Sequence, residues 1–292
     1  MKKLRRTMLF CPANEPKLYL NSSIYNPDCI IFDLEDAIIY SEKDAARDLL
    51  CEAVKKIDFG AIEVYVRINQ LSTGFGETDV RETVKAGIRN IRLPMCETKE
   101  DVEELDMLLS RIEQEAGLER GTVKIQCALE TPKGVLNALE IGRASSRVTS
   151  ISFGAEDYTN CLGVERTKEG RELAYARSYI PVAASVLGID SIDTVWTDVS
   201  DMEGFIREAK EAKTLGFSGK SCIHPLQLKE VQKIYTPSPE EVEKSEKILK
   251  AAEEAEKASK GVILVDGKMV DVPVLSKARK ILDLASPKKV EG

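Results

Sequence analysis

The sequence predicts an α/β fold, a (β/α)8 TIM barrel with a C-terminal helix-hairpin-helix extension. Eight short apolar runs recur along the chain up to residue 224. Longer stretches with apolar residues three and four apart lie between them, the pattern of amphipathic helices. Neither a G-x-G-x-x-G nor a G-x-x-x-x-G-K-[ST] pattern occurs to favour an open doubly wound sheet. At 292 residues and 43% hydrophobic content, the chain can bury one barrel core.

The apolar runs are 7–11 (TMLFC), 29–34 (CIIFDL), 63–69 (EVYVRIN), 90–94 (NIRLP), 123–129 (VKIQCAL), 148–154 (VTSISFG), 190–196 (DSIDTVW) and 219–224 (GKSCIH). Their length, and the β-branched content of several, suits strands buried on both faces. Helical patterns follow at 42–56, 99–116, 168–187 and 202–215. Strand-then-helix units repeated in this way close into a barrel, expected over residues 1–237.

Residues 238–292 are expected to form an extension that covers a barrel mouth, the chain's own or a neighbour's. Ser238 is placed as an N-cap, Pro239 at the first helical position and Glu241 as the reciprocal capping residue. A charged helix runs to about 260. Residues 261–272 (GVILVDGKMVDV) read as a hairpin turning at Asp266-Gly267, and 273–285 as a last helix.

With 42 basic and 49 acidic residues, the net charge of -7 argues against nucleic acid as the main partner. The basic cluster Lys2-Lys3-Leu4-Arg5-Arg6 is expected to be a solvated tail. The seven cysteines are odd in number and contain no C-x-x-C pair, which fits reduced, buried thiols in a cytoplasmic protein. No apolar run approaches 18 residues, so no membrane segment is expected. The single histidine, His224, excludes any mechanism needing two histidines from one chain, and a structural role is expected for it.

A barrel of this kind places its active site at the C-terminal ends of its strands. There the second run ends in Asp33, Glu35 and Asp36, the third carries Arg67, the fifth ends at Glu130 and the sixth at Glu156 and Asp157. Burying one unpaired carboxylate costs several kcal/mol, so this group calls for a cation, hydrogen-bond donors or water. Glu130 and Asp157 lie on adjacent strands and could bind one ion. Carboxylates without histidine or cysteine favour Mg2+, or Mn2+, over Zn2+.

Each of these residues also has a plainer reading. A strand-end glutamate often caps a helix or pairs with an arginine. Asp33 could be a structural partner, Asp36 could orient Arg67, and Glu156 is expected to be solvated. Arg67 could form an ion pair with Glu35 or Asp36, or clamp a substrate carboxylate with both prongs of its guanidinium, or do both. Asp271 could cap the last helix, or act as an acid or base over a barrel mouth.

The segments RTMLFCPAN, IIFDLEDAI, VRIN, IRLP, ALETPKGV, FGAEDYT, GKSCIHPLQ and VDGKMVDVPV, in that order along nearly the whole chain, resemble the citrate lyase beta subunits. More loosely, they resemble the wider family of malyl-, citramalyl- and citryl-thioester lyases. The resemblance implies a (β/α)8 barrel with Mg2+, assembled as a homotrimer or hexamer. It further implies a reverse Claisen cleavage of a citryl thioester on acyl carrier protein or CoA to oxaloacetate and the acetyl thioester. Alpha and gamma (acyl carrier) subunits of citrate lyase would be partners.

By the same resemblance, Glu130 and Asp157 match the metal ligands, and Arg67 matches the arginine that binds the substrate carboxylate. Glu35 and Asp36 match residues supporting the metal and its waters. Asp271 matches a catalytic acid/base supplied by an adjacent subunit. Departures from the family pattern include Met95, where many relatives carry lysine, as well as Cys11, Ala13 and His224. The competing readings are a malyl-CoA or citramalyl-CoA lyase, a metal-dependent aldolase acting on free aldehydes, and a non-catalytic binding subunit.

Overall fold

The structure, a computed structural model, describes residues 4–257, 263–265 and 268–285. The chain divides into two compact units, Arg5–Gln232 and a second made of Met1–Leu4 with Lys233–Gly292.

In the first unit, strands β1 (Thr7–Pro12), β2 (Cys29–Asp33), β3 (Glu63–Arg67), β4 (Asn90–Leu93), β5 (Lys124–Leu129), β6 (Val148–Phe153), β7 (Asp190–Asp193) and β8 (Gly219–Cys222) form a closed barrel in sequence order. Every neighbouring pair is parallel, including β1 with β8. Helices α1 (Pro16–Tyr25), α2 (Lys43–Lys56), α3 (Gly76–Ala86), α4 (Lys99–Glu115), α5 (Pro132–Leu136), α6 (Ala138–Arg143), α7 (Ala155–Leu162), α8 (Ala174–Leu187), α9 (Met202–Leu215) and α10 (Pro225–Tyr235) complete the β/α units. The helix expected from residue 168 begins only at Ala174. Gly170 adopts a left-handed conformation, and Arg171–Leu173 form a 3-10 turn ahead of the helix.

Side chains from alternate strand positions fill the barrel. Met8, Cys29, Ile31, Tyr65 and Ile192 form an apolar layer against which Phe10 packs. Nearer the C-terminal ends, the register places Pro12, Asp33, Arg67, Arg92, Gln126 and Ser150 side by side on successive strands. The barrel therefore changes from apolar to polar within one two-residue step, the period at which side chains share a face.

The opposite end corrects one expectation. Arg5 and Arg6 are not in a solvated tail. Arg5 bonds Glu63 at 2.7 Å and Asp190 at 2.9 Å, and Arg6 bonds Asp28 at 2.8 Å. These carboxylates sit at or just before the starts of β2, β3 and β7 and are themselves buried, so they draw in the nearest cations. Lys2 and Lys3 lie outside the described residues. Between the barrel and its outer helices, fully buried Lys220 holds Asp193 at 3.0 Å and Glu208 at 2.6 Å, while Arg177 bonds Asp193 from α8.

The second unit contains α11 (Pro239–Lys257), the antiparallel strands β9 (Ile263–Val265) and β10 (Lys268–Val270), and α12 (Val272–Ala285). The N-cap of α11 has its reciprocal bonds: Ser238 Oγ accepts from the Glu241 amide, and Glu241 Oε2 accepts from the Ser238 amide. Ile248, Val270 and Ala278 form its small core. The expected hairpin turn, Asp266-Gly267, lies outside the described residues. All seven cysteines are free, and six are buried. No helix among the described residues is long and apolar enough to cross a membrane.

Candidate active site

The C-terminal ends of the strands enclose a cavity of about 420 Å3, lined in part by Asp33, Asp36, Arg67, Arg92, Glu130 and Asp157. It thus brings together side chains from β2 to β6.

Arg67 is at the centre of the acidic half. Its Nε donates to Asp33 Oδ1 at 2.8 Å and its Nη2 to Asp33 Oδ2 at 2.6 Å. Nη1 faces Asp36 at 2.8 Å and Glu35 at 3.1 Å. The two-pronged edge of Arg67 is therefore taken by Asp33, a fixed partner in the paired register, while Asp36 has a largely exposed side chain that can leave. Asp33 also accepts from the amides of Glu35 and Ala37, which fixes the chain as it leaves β2. Burial opposes the charge on Arg67, but Asp33, Glu35 and Asp36 outweigh it and hold the guanidinium above its usual range. Burial pushes Glu35 up to about 8; Arg67 opposes this, and Asp36, Glu130 and Asp33 reinforce it.

Glu130 ends the chain's run through β5. Thr131 caps α5 by accepting from the Gly134 amide, and Pro132 occupies the first helical position, so ETPKG is a strand end followed by a helix start. The Glu130 carboxylate is buried, and its Oε2 accepts from the Met95 amide at 2.9 Å. Met95 has φ 50, an uncommon conformation for a residue with a side chain, and its amide is the one that reaches Glu130. Gly154 lies against the same glutamate: a Cβ there would meet Glu130 Cγ at 2.5 Å.

Asp157 stands in the first turn of α7 and is half-buried. It has neither a hydrogen bond nor an ion pair among the described residues. Burial raises its pKa, and the nearby charges of Glu130 and Asp36 raise it further. Glu156, its neighbour, is exposed and pairs with Arg166. Among the described residues, no three His, Cys, Asp or Glu side chains form a metal-binding cluster. Glu130 and Asp157 line the cavity as a pair of carboxylates. That suits Mg2+, which commonly takes one or two carboxylates and completes its octahedron with water and substrate oxygens. An unpaired Asp157 under the field of Glu130 fits such an ion.

Arg92 is a site residue that the sequence pattern alone does not mark. It is buried in the polar layer, its Nη1 donates to Gln126 Oε1 at 2.7 Å, and its Nη2 comes only within 3.8 Å of Glu130. Burial pushes its pKa down to about 10; Glu130 opposes the shift and Arg67 adds to it. Its signal in the sequence is a charge inside the apolar run NIRL, as for Arg67, but that run is too short to mark it by itself.

Asp271 belongs to the second unit. It is exposed and caps α12, its Oδ1 accepting from the Val274 amide at 3.1 Å. His224 has the structural role expected of it, with Nδ1 accepting from the Leu226 amide at the start of α10.

Residues 6–225 match the family model described as HpcH/HpaI aldolase/citrate lyase. The chain belongs to this family. Over 285 residues it is 44% identical to the citrate lyase subunit beta of Leuconostoc mesenteroides subsp. cremoris, covering 98% of this chain and 94% of that one. It is 31% identical to the mitochondrial citramalyl-CoA lyase of Rattus norvegicus, over 97% and 86% of the two chains. Among solved structures it superposes on the CitE protein of Mycobacterium tuberculosis in complex with magnesium, acetoacetate and coenzyme A. The TM-score is 0.77 at 30% identity, covering 98% of this chain and 99% of the other. The chain is a carbon-carbon lyase.

Proposed function

We propose that the chain cleaves a citryl thioester, carried on acyl carrier protein or CoA, into oxaloacetate and the acetyl thioester. It would do so as the beta subunit of a citrate lyase, beside alpha and acyl-carrier gamma subunits and in a homo-oligomer. The observation that carries this reading is Asp157, half-buried without a partner among the described residues, beside Glu130 in a cavity that also holds Arg67. The likeness to the citrate lyase subunit beta and to a magnesium- and coenzyme A-bound relative supports it.

Glu130 and Asp157 would hold Mg2+. The bound ion supplies Lewis acidity at the substrate hydroxyl and its neighbouring carboxylate. The amide of Met95 and the bare Gly154 keep Glu130 aimed into the cavity. Arg67, held by Asp33, offers its Nη1 edge to a substrate carboxylate as Asp36 moves aside, and its charge steadies the negative charge of the reaction. The hydroxyl gives its proton to a base in the cavity, a water or a carboxylate, and becomes the ketone of oxaloacetate. The adjacent C–C bond breaks, leaving its electron pair on the thioester enolate. Asp271, from the same or a neighbouring copy, gives the enolate carbon a proton to yield the acetyl thioester.

The test is cleavage of citryl-CoA by the purified chain with and without Mg2+, following oxaloacetate, with malyl-CoA and citramalyl-CoA in parallel. Mg2+-dependent release of oxaloacetate, faster than cleavage of the other two, is expected. Preference for either of the others would replace the substrate. Failure with all three, repeated with the carrier-bound substrate and partner subunits, would overturn the reading.

A further inference from the structure

Arg92 and Arg67 are paired across β3 and β4, and their guanidiniums lie 5.1 Å and 5.3 Å from the same Phe10 ring centre. Their surroundings differ. Arg67 meets three carboxylates. Among the described residues, the Arg92 side chain makes one hydrogen bond, and that to a neutral group, Gln126, which is fixed in turn by Ser150 at 2.9 Å. Its Nε is buried without a partner, and its Nη2 has only Glu130 at 3.8 Å. Glu130 also accepts from the Met95 amide and is one of the two carboxylates proposed for the ion, so its charge is shared. At 2% exposure, Arg92 is a cavity-lining cation without a hydrogen-bonded anion among the described residues. A buried charge in that position is costly until an anion meets it.

The substrates within reach of this chemistry differ by one group. A citryl thioester has two free carboxylates, one on the carbinol carbon and one on a CH2 arm. A citramalyl thioester has a methyl group in place of that arm, and a malyl thioester a hydrogen. The first carboxylate is common to all three and belongs with the ion and Arg67. The arm carboxylate needs a second cation. We infer that Arg92 is that cation, the group that recognises the distal carboxylate and so selects citryl over citramalyl and malyl thioesters. This rests on the cleavage reaction proposed above and goes beyond it by assigning the choice of substrate to one residue.

The experiment compares the full chain with Arg92→Met and Arg92→Lys. Binding of oxaloacetate, which retains the arm carboxylate, and of pyruvate, which lacks it, is measured calorimetrically in saturating Mg2+. kcat/KM is measured for citryl-CoA and citramalyl-CoA. Arg92→Met is expected to weaken oxaloacetate by about 10- to 100-fold, the range of a hydrogen bond to a charged group, and to leave pyruvate within about threefold, since its binding lacks that bond. The citryl-to-citramalyl ratio of kcat/KM should fall by a similar factor. Arg92→Lys, which keeps the charge but loses the fork, should fall between. Thermal unfolding separates these effects from misfolding of the Met variant. Equal losses for both ligands in both variants, or unchanged oxaloacetate binding, would overturn the assignment. If the wild-type chain cleaves no citryl thioester, the reaction proposed above fails, and the oxaloacetate-pyruvate comparison still decides the role of Arg92.

Discussion

Arg67 and Asp33, opposite each other on β3 and β2, form a two-pronged ion pair with contacts of 2.8 and 2.6 Å. Both side chains are nearly buried. Asp33→Ala leaves Arg67 with Glu35 and Asp36, so the cost should fall toward the lower end of the about 3–5 kcal/mol for a broken buried pair. Urea unfolding measures that loss. Activity should fall at least tenfold as well, because Arg67 is then free to turn towards Asp36, an orientation effect of the kind that misplacement produces. A variant with wild-type activity and lowered stability would make Asp33 a fold residue only.

Glu130→Gln and Asp157→Asn should each abolish most activity by weakening Mg2+ binding, with the Mg2+ concentration for half-activity rising by at least about tenfold in any residual turnover. Titration of activity against Mg2+ reads this directly. Turnover close to wild type with undiminished Mg2+ dependence would remove both residues from the ion site.

Gly154→Ala makes a narrower claim about the same site. The added Cβ would meet the Glu130 side chain, not backbone, so the glutamate can swing away and the barrel can survive. We expect thermal stability within a few degrees of wild type. The Mg2+ requirement should rise as it does for Glu130→Gln, because the carboxylate has left its place. A large drop in stability with normal Mg2+ dependence would contradict the geometry.

These residues also show what can be read from sequence. Asp33, Arg67, Glu130 and Asp157 stand out because each interrupts or ends a run that should be buried, and the barrel topology then converts four strand ends into one mouth. Arg92 carries the same signal in a run of four residues, too short to show that the charge is interior rather than terminal. Arg5 and Arg6 look like a solvated tail in the sequence because their partners, Asp28, Glu63 and Asp190, are distant in sequence and meet them only when the barrel closes. Helices α5, α6 and α7 span five, six and eight residues, about two turns or fewer, which leaves little periodicity to detect.

The buried ion cluster outside the barrel predicts a pH dependence. Burial works against ionised Asp193, but Lys220 and Arg177 outweigh it and hold its pKa below the ordinary carboxylate range. Asp106 and Glu113 are likewise held low against burial, chiefly by Arg147. Carboxylates lowered in the folded state add stability above their unfolded values, about 3.9 for Asp and 4.3 for Glu. That stability is lost as pH falls through the lower folded values. Acid unfolding should therefore set in below about pH 4, the range of those unfolded values. Lys220→Met should cost about 3–5 kcal/mol at neutral pH and move the acid transition to higher pH, since Asp193 loses one of its two cations and keeps Arg177. Urea unfolding at pH 7 and an acid titration followed by circular dichroism would check both. An unmoved acid midpoint would separate Asp193 from the transition.

Asp271 has two roles to separate, and the choice of substitution separates them. Its Oδ1 accepts from the Val274 amide at the start of α12. Asparagine caps a helix about as well as aspartate, whereas alanine loses the cap at a cost of about 1 kcal/mol. Asparagine cannot exchange a proton as a carboxylate does. If Asp271 serves as the acid/base, Asp271→Asn should retain stability and Mg2+ affinity while kcat falls by 100-fold or more, the usual range for loss of a positioned proton donor being about 10²–10⁴. Mixing inactive Asp271→Asn with inactive Glu130→Gln should restore part of the activity if the aspartate acts across a subunit boundary, because some sites then receive both intact residues. Unchanged turnover in Asp271→Asn, with lowered stability only in Asp271→Ala, would leave the residue as a helix cap.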